Sequence, residues 1–280
     1  MKPTALLRCP VCSDPLLLNN KQLQCMQGHS FDAARQGYWN LLLPQRKRSR
    51  MPGDNLEMVQ ARRAFLDRGF YHPLATALAQ MLAESCAQRT PLSLLDLGCG
   101  EGYYTTQLHQ ALLEQDPQLT TYALDISKDA IRLACQRNRE ISWLVATGAD
   151  IPLQANSVEV ATLIFARLLP EATAKILKPG GYFLVVWAGP DHLRELRERI
   201  YDQVQDSDLN PDAQLNTLFT PCRAERLRFR FDISRAEDLE HLLMMTPHGQ
   251  RLRAERRAAL LAEPAMQLQA DIWLSLYQKR

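Results

Sequence analysis

The chain has 280 residues, of which 46% are hydrophobic and 23% are charged. This composition excludes a disordered chain and predicts one large globular domain, or a domain of standard size with a small appendage. The longest apolar runs, such as YFLVVWAG, are too short to span a bilayer, and no apolar stretch like a signal peptide precedes Cys9. We therefore expect no membrane partner and a reducing, cytoplasmic location, where clustered thiols indicate a metal rather than disulfides.

The net charge of +2 is unevenly distributed along the chain. Residues 1–72 contain 11 Lys and Arg against 5 Asp and Glu, whereas the rest of the chain contains 22 against 26. A basic front on a mildly acidic body predicts a polyanionic partner that contacts mainly the front. A solvated charged face is the alternative interpretation.

Three cysteines and a histidine lie close together near the start of the chain. Their spacing, Cys9-x2-Cys12-x12-Cys25-x3-His29, gives two pairs separated by a segment in which NNKQ predicts a turn between two short strands. Cys3His is a common ligand set of structural, tetrahedral zinc, and a module this small needs a metal to fold. We predict a structural zinc ion here, with Asp32 as an alternative to His29 and a redox or incidental cysteine cluster as the alternative to zinc.

A connector with two predicted helices follows this module. The basic run PQRKRSR and the breaker PGD precede a helix through LEMVQARRAFLDR, which Asp54 or Asn55 caps. The second helix, PLATALAQMLAESCAQ, has proline in its first turn, where the missing N–H has no cost.

From residue 92 onward, strand patterns alternate with helix patterns. The predicted strands are LSLLDLG, LTTYALD, ISWLVAT, SVEVATLIF and YFLVVWA, and the predicted helices are GYYTTQLHQALLEQ, SKDAIRLACQRN and EATAKILKPGG, the last one stopped by Pro-Gly-Gly. The helix HLRELRERIYDQV follows, and then two strand-like segments, RLRFRFDIS and MQLQADIWLSLY, with the helix AEDLEHLLMM between them. This order predicts an open, Rossmann-like α/β sheet that is parallel except for an antiparallel edge.

A glycine turn, LLDLGCGEGYYT, joins the first of these strands to its helix. Gly98, Gly100 and Gly102 allow the backbone to turn tightly and to approach a ligand at the helix N-terminus. The carboxylate of Asp96 would repel a pyrophosphate, but it suits S-adenosylmethionine, which carries an ammonium and a sulfonium group and no phosphate. We interpret Cys99 as a small packing residue rather than a nucleophile.

Two further acids follow the next two strands. Asp125 ends its strand, where an acid accepts hydrogen bonds from ribose hydroxyls, and Asp150 is placed to hold the adenine amino group. Helix capping is the alternative role for Asp96 and Asp150. The three acids predict a class I S-adenosylmethionine-dependent methyltransferase sheet at residues 91–280, after a zinc-binding module (residues 1–36, the zinc module) and a basic linker with helices (residues 37–90).

The zinc module and the connector give such an enzyme extra surface for a large, polyanionic acceptor. We expect phosphate contacts from the basic residues Arg46, Lys47, Arg48, Arg50, Arg62 and Arg63. Aromatic residues occur in the same region, and we expect half of them to be core and the rest to stack on unpaired RNA bases: Phe31, Tyr38, Trp39, Phe65, Phe70 and Tyr71.

Several motifs together resemble the large-subunit ribosomal RNA (guanine-N1)-methyltransferases. The matching segments are CPVC…C..GH.FD, GYWNLLLP, KRSR.PGD..EM..ARRAFLD.GFY.PL, LDLGCGEGYYT, KPGG, GPDHLRELR and MMTP. The resemblance implies methylation of guanine N1 in hairpin 35 of 23S rRNA, at position 745 or its neighbour 748. The substrate is then either the free 23S rRNA or a large-subunit precursor. The resemblance also implies a homodimer, although no stretch of this sequence predicts an interface. It implies zinc at the four residues named above, and S-adenosylmethionine contacts at Tyr71, Gly100, Glu101 and His192.

The segment IFARLLPEA departs from the family, which carries a YAPC-like segment after this strand. That loop faces the acceptor base in enzymes of this fold, so Arg167 is expected to take over a contact with RNA. The loop contains neither the Asn/Asp-Pro-Pro-aromatic tetrapeptide of amino-group methylation nor a nucleophilic cysteine. Guanine N1 needs mainly positioning, and Glu171 and Asp150 are the candidates for a general base.

Two other functions stay open at this point. One is a non-catalytic RNA-binding or ribosome-assembly factor with a vestigial methyltransferase fold, against which the intact Asp96, Gly98, Gly100 and Asp125 argue. The other is a small-molecule methyltransferase with a zinc stabiliser, against which the basic front argues.

Overall fold

The computed structural model describes residues 3–46, 52–204, 210–246, 248–249, 252–263 and 265–280. Within the zinc module it contains a small antiparallel sheet of β1 (Leu17–Asn19), β2 (Gln22–Gln24) and β3 (Ser30–Asp32). β1 and β2 pair with Asn19 opposite Gln22, so the predicted turn between two short strands is confirmed.

In the described residues, a second sheet of eight strands forms the main body. These strands are β4 (Trp39–Asn40), β5 (Ser93–Leu97), β6 (Thr120–Asp125), β7 (Ser142–Val145), β8 (Val158–Ile164), β9 (Leu177–Ala188), β10 (Phe219–Ile233) and β11 (Met266–Lys279). Their order across the sheet is β10-β11-β9-β8-β5-β6-β7-β4. The strands from β4 to β9 run parallel to their neighbours, whereas β11 is antiparallel to both β9 and β10. The predicted open, Rossmann-like α/β sheet with an antiparallel edge is confirmed.

The helices connect these strands and pack on the sheet. They are α1 (Leu56–Asp67), α2 (His72–Cys86), α3 (Tyr103–Gln115), α4 (Lys128–Arg137), α5 (Pro170–Ile176), α6 (Arg194–Ile200), α7 (Asp212–Leu215), α8 (Ala236–Met245) and α9 (Ala254–Leu261). Asn55 caps α1 by accepting the Met58 N–H, and Ser127 caps α4 by accepting the Ala130 N–H. None of the helices in the described part of the chain has the length and apolar character needed to cross a bilayer.

Some of the predicted elements differ from the observed ones. The helix α5 ends at Ile176, because Leu177 is fully buried and pairs with Val158, so β9 begins before the Pro-Gly-Gly segment that was expected to stop the helix. The helix α6 ends at Ile200, because Tyr201 has extended backbone, and is therefore shorter than predicted. The connector also supplies the short strand β4, which carries no strand-like sequence pattern and pairs with β7.

The two faces of the main sheet are covered by different parts of the chain. On one face, α1, α2, α3 and α8 bury side chains of β9, β10 and β11. On the other face, the zinc module inserts Leu7, Leu16 and Leu23 into the same apolar cluster as Leu95 of β5 and Tyr122 of β6. The zinc module therefore shares a core with the main sheet, while the predicted domain boundaries near residues 36 and 90 stay predictions.

Candidate functional site

The zinc module brings the four predicted ligands to one point. The ligand atoms of Cys9, Cys12, Cys25 and His29 all lie within 4.8 Å of one another. The Sγ atoms of Cys12 and Cys25 are 3.6 Å apart, and His29 Nδ1 is 3.4 Å from Cys25 Sγ and 3.7 Å from Cys9 Sγ. Tetrahedral zinc with bonds of about 2.0–2.3 Å needs edges of about 3.5–3.8 Å, so these residues fit a zinc ion.

The fourth ligand is His29 rather than the alternative Asp32. The Asp32 carboxylate lies on the exposed side of β3, where it accepts a hydrogen bond from Gln22 Nε2 at 2.9 Å. Four protein ligands leave no open position on tetrahedral zinc, so the site is structural.

Arg8, next to the first zinc ligand, joins the zinc module to the main body. Its buried guanidinium donates to the Asp150 carboxylate, to Ile151 O at 2.9 Å and to Leu153 O at 3.0 Å. An isolated antiparallel β-bridge, formed by the backbones of Leu7 and Leu153, extends these contacts. We call this set of contacts, between residues 7–8 and 150–153, the joint.

Asp150 is engaged at both of its carboxylate oxygens. One oxygen binds Arg8 and the other binds Arg46, which leaves the side chain one quarter exposed. Asp150 lies in a 3-10 turn that Thr147 caps, so helix capping is not its role. The structure therefore gives Asp150 a part in the joint, and its predicted contact with adenine stays a prediction.

The glycine turn lies where β5 ends. We call this end of the main sheet, with the loops that follow β5, β6, β7 and β8, the cofactor edge. Gly98, Gly100 and Gly102 all have positive φ (70°, 56° and 85°). A Cβ on Gly98 would lie 2.8 Å from Ala166 Cβ, and one on Gly102 would lie 2.6 Å from the ring of Trp143. The turn therefore needs glycine both for its backbone conformation and for close packing.

Asp96 is buried beneath the glycine turn and held by two hydroxyl groups. Its oxygens accept hydrogen bonds from Thr105 at 2.5 Å and from Thr162 at 2.7 Å. Burial raises the pKa of Asp96 from 3.8 to about 6, so the carboxylate is ionised at neutral pH. Since α3 has no side-chain cap, Asp96 is not a capping residue.

Asp125 lies half-buried at the end of β6, beside the glycine turn. Its two oxygens accept the backbone N–H groups of Gly100 at 3.0 Å and Ser127 at 2.8 Å. Burial raises the pKa of this carboxyl. Each carboxylate oxygen has a second lone pair, so Asp125 can still accept two hydroxyl groups of a ligand.

Glu101, within the glycine turn, forms a buried ion pair with Arg137 of α4. Arg137 also binds Asp67 of α1 at 2.8 Å, so this pair ties the connector to the glycine turn. Glu101 Oε1 is buried without a hydrogen-bond partner in the described residues, and burial raises the pKa of the carboxyl. The S-adenosylmethionine contact that the resemblance implies for Glu101 stays a prediction.

Cys99 is half-buried in the middle of the turn. Its side chain packs against an apolar cluster that contains Trp143, and burial raises the pKa of its thiol well above the ordinary value. A thiol in this state is a poor nucleophile, as the sequence predicted.

Tyr71 and His192 meet at the other side of the cofactor edge. Tyr71 Oη lies 3.2 Å from His192 Nε2, and His192 Nδ1 accepts the backbone N–H of Asp271 at 3.2 Å. Burial lowers the pKa of His192 to about 4, so the ring is neutral and carries its proton on Nε2. His192 therefore donates to Tyr71, and the Tyr71 O–H remains able to donate to a ligand.

Asp271 anchors this part of the site and was not predicted. Burial alone would raise its pKa, but hydrogen bonds from Arg226, the Asp191 backbone and Arg228 lower the pKa to about 2. Its only sequence signal is an acid within an apolar strand pattern, QADIWL.

The loop after β8 carries the two remaining predicted residues. Arg167 is exposed and forms no ion pair within the described residues, so its side chain is accessible to RNA. Glu171 is exposed in the first turn of α5. Within the described residues, neither Arg167 nor Glu171 is hydrogen-bonded to Tyr71 or His192.

Three of the predicted RNA-binding cations of the connector are paired with acids. Arg46 binds Asp150, Arg62 binds Asp54 at 2.5 Å, and Arg63 lies 3.7 Å from Asp67. The other three, Lys47, Arg48 and Arg50, lie outside the described residues.

Arg62 also lies close to the glycine turn. Its side chain lies over Gly100, where it would be 3.7 Å from a Cβ on that glycine. Arg62 therefore covers the glycine turn from the side of α1.

The aromatic residues of the same region are mostly core, so the prediction that half of them are free to stack is wrong. Tyr38, Trp39, Phe65 and Tyr71 are at most 4% exposed. Phe31 and Phe70 are half-buried. These rings pack because the zinc module and α1 lie directly on the main sheet, which the sequence pattern does not show.

Comparisons with known proteins agree with this arrangement. Residues 7–50 match the zinc-ribbon family described as "RlmA, N-terminal", and residues 94–181 match the family described as "Methyltransferase domain". The fold and the cofactor edge therefore define a class I methyltransferase with an N-terminal zinc ribbon.

Two relatives identify the family. The "23S rRNA (guanine(748)-N(1))-methyltransferase" of Streptomyces fradiae is 38% identical over 191 residues, which are 68% of this chain and 66% of that protein. The "Putative 23S rRNA (guanine-N(1)-)-methyltransferase" of Micromonospora griseorubida is 34% identical over 278 residues and 92% of both chains. The chain belongs to the 23S rRNA (guanine-N1)-methyltransferase family.

Proposed function

We propose that this chain transfers the methyl group of S-adenosylmethionine to N1 of a guanine in hairpin 35 of 23S rRNA. The observation that carries the proposal is the pair of carboxylates, Asp96 and Asp125, around a glycine turn in which Gly98 and Gly102 have no room for a Cβ. Family membership supports the choice of guanine N1 and of ribosomal RNA.

The residues of the cofactor edge match the parts of S-adenosylmethionine, whose sulfonium supplies an electrophilic methyl group. The free lone pairs of Asp125 suit the ribose hydroxyls. The ionised Asp96 places negative charge beneath the turn, which favours a cationic ligand. The Tyr71 O–H, aligned by the neutral ring of His192, is a donor for the ligand's carboxylate.

The transfer forms one bond between guanine N1 and the methyl carbon and breaks the bond between that carbon and sulfur. The proton of N1 is released, and we assign it to water. Asp150 is held in two ion pairs, and Glu171 is an exposed carboxylate on α5, so neither candidate base has a structural argument in its favour. Catalysis then depends mainly on holding the base in line with the methyl group.

The acceptor must be an unpaired or flipped base, because N1 lies on the Watson–Crick edge. We assign binding of the RNA hairpin to the zinc module and the connector, because Lys and Arg outnumber Asp and Glu in this part of the chain. Arg167 lies at the cofactor edge and suits a phosphate next to the target nucleotide. From such a substrate we infer a cytoplasmic location. The homodimer stays a prediction that a sedimentation experiment tests.

Primer extension across hairpin 35 tests the proposal. Unmodified 23S rRNA is incubated with the zinc-loaded chain, with and without S-adenosylmethionine, and then copied by reverse transcriptase. Because a methyl group on N1 blocks pairing, we expect a stop at one guanine that requires S-adenosylmethionine. An Asp129→Ala variant, altered in a surface ion pair of α4, serves as a control and should give the same stop.

Other outcomes separate the alternatives. A chain that binds S-adenosylmethionine and RNA but gives no stop on naked RNA or on a precursor particle would contradict the proposal. A chain that binds RNA but not S-adenosylmethionine would support the non-catalytic alternative. RNA binding that weakens steeply as the salt concentration rises would contradict the small-molecule alternative.

A further inference from the structure

Phe165, the first residue after β8, combines two unfavourable features. Its φ is +52°, in the left-handed region that bulky side chains rarely adopt, and it is the only aromatic residue among the described non-glycine residues with positive φ. The residue is 44% exposed. Every other aromatic side chain in the described residues is buried or half-buried. Non-glycine residues held in the left-handed region cluster at functional sites.

The backbone around Phe165 fixes this conformation. The Phe165 N–H donates to Val186 O of β9 at 3.0 Å, which continues the pairing of β8 with β9 by one residue. The next residue, Ala166, packs so closely on the glycine turn that a Cβ at Gly98 would lie 2.8 Å from its own Cβ. The segment therefore has little freedom, and the ring of Phe165 is presented from a rigid base.

The position of the ring relates it to the reacting atoms. Phe165 lies at the cofactor edge between the glycine turn and His192, whose ring centroid is 6.0 Å from that of Phe165 with an angle of 37° between the planes. His192 is in turn hydrogen-bonded to Tyr71. The exposed ring of Phe165 thus lies next to the glycine turn and next to the pair of Tyr71 and His192, which we assign to binding of the methyl donor.

We infer that the ring of Phe165 is the platform on which the target guanine stacks. A purine stacked on this ring keeps its Watson–Crick edge free, so N1 can turn toward the methyl group. Stacking also requires a base that has left its own helix, which is the state that methylation of N1 needs. This inference rests on the proposed function and specifies which side chain receives the acceptor base.

Two substitutions separate a stacking role from a packing role. Phe165→Gly removes the ring and leaves a residue that adopts positive φ without strain, so we expect the melting temperature to be equal or higher. Phe165→Tyr keeps the ring and is the matched control. Both variants are made in the full chain, loaded with zinc, and assayed with S-adenosylmethionine and an RNA hairpin that contains both neighbouring guanines.

We expect Phe165→Gly to lower kcat/KM for the RNA by about 5- to 150-fold, the factor that corresponds to about 1–3 kcal/mol of stacking per base. The dissociation constant for S-adenosylmethionine should stay within about twofold, and Phe165→Tyr should retain at least about one third of the wild-type kcat/KM.

The inference is overturned if Phe165→Gly transfers methyl groups at the wild-type rate, or if it lowers the melting temperature and the affinity for S-adenosylmethionine together, since the ring would then be a packing element. A wild-type chain that methylates no guanine would instead overturn the proposed function, and the stacking role would fall with it.

Discussion

The polar groups of the zinc module and those of the cofactor edge differ in whether they keep hydrogen-bonding capacity for a ligand. In the zinc module, four ligand atoms converge within 4.8 Å, and the Arg8 guanidinium donates to protein acceptors, most of them across the joint. At the cofactor edge, Asp125 and Tyr71 are held firmly by backbone or by His192 and yet keep hydrogen-bonding capacity for a ligand. The first region uses its polar groups to stabilise the fold, and the second orients them for binding.

The two regions should therefore respond differently to mutation. Changes in the zinc module or the joint should lower stability first, and changes at the cofactor edge should lower ligand affinity with little effect on stability.

The largest effect is expected from loss of the metal. Structural zinc contributes about 10–16 kcal/mol to folding in small zinc-binding peptides, so Cys12→Ser or a chelator should unfold the zinc module. Zinc content, measured by atomic absorption, and protease cleavage within residues 7–32 report this loss. Cys222→Ser, at an exposed cysteine of β10, is the control and should leave both unchanged. Full zinc content in the Cys12→Ser variant would show that the ligand set is wrong.

Breaking the joint should have the next largest effect. Arg8→Ala leaves the Asp150 carboxylate with one partner and removes the donor to the Ile151 and Leu153 carbonyls, so we expect a loss of about 3–5 kcal/mol in the free energy of unfolding. Urea denaturation measures it. Arg46→Ala removes the partly exposed partner of the same carboxylate and should cost about 1 kcal/mol or less. Equal losses in the two variants would contradict the central role of Arg8.

Asp125→Ala should weaken ligand binding rather than folding. Hydrogen bonds to a charged group contribute about 1.5–3 kcal/mol, so the dissociation constant for S-adenosylmethionine should rise by about 10- to 150-fold in calorimetry. Asp129 provides the control, because it pairs with Arg132 on the surface of α4, and Asp129→Ala should leave the dissociation constant unchanged. An unchanged affinity in Asp125→Ala would remove this residue from the cofactor site.

The smallest effects concern the pH dependence of stability. The folded pKa of Asp96 is raised from 3.8 to about 6, so its contribution favours folding at low pH and is lost as the pH rises through 6. The folded pKa of His192 is lowered from 6.5 to about 4, so its contribution is present above pH 6.5 and is lost as the pH falls toward 4. The two contributions therefore oppose each other between about pH 4 and pH 6.

Single variants should separate these two slopes. Compared with wild type, Asp96→Asn should lose stability more steeply on acidification, and His192→Gln should lose it less steeply. Urea denaturation at several pH values measures both. Curves that run parallel to the wild-type curve would show that these groups do not titrate as the structure indicates.

The parts of the molecule that the sequence predicted correctly depend on short distances along the chain. The four zinc ligands lie between Cys9 and His29, so spacing alone indicates them. The glycine turn and Asp125 follow directly from strand ends, because strands that alternate with helices form a parallel sheet whose carboxyl ends lie together.

The parts that the sequence did not predict depend on contacts between distant residues. Arg8 meets Asp150 across 142 positions, and His192 accepts from the Asp271 backbone across 79 positions. The positive φ of Phe165 is a property of the folded backbone and has no signature in a single aromatic residue. Four of the six aromatic residues are buried, where half were expected to be, because the docking of the zinc module on the main sheet is a tertiary effect.

Identification of the modified nucleoside tests the central claim most directly. Unmodified 23S rRNA is incubated with the zinc-loaded chain and S-adenosylmethionine that carries an isotopically labelled methyl group, then digested to nucleosides and separated. We predict that the label elutes as 1-methylguanosine, and that Asp125→Ala greatly reduces its amount. Label in another methylated nucleoside, or no label in RNA from a chain that binds S-adenosylmethionine, would contradict the proposed function.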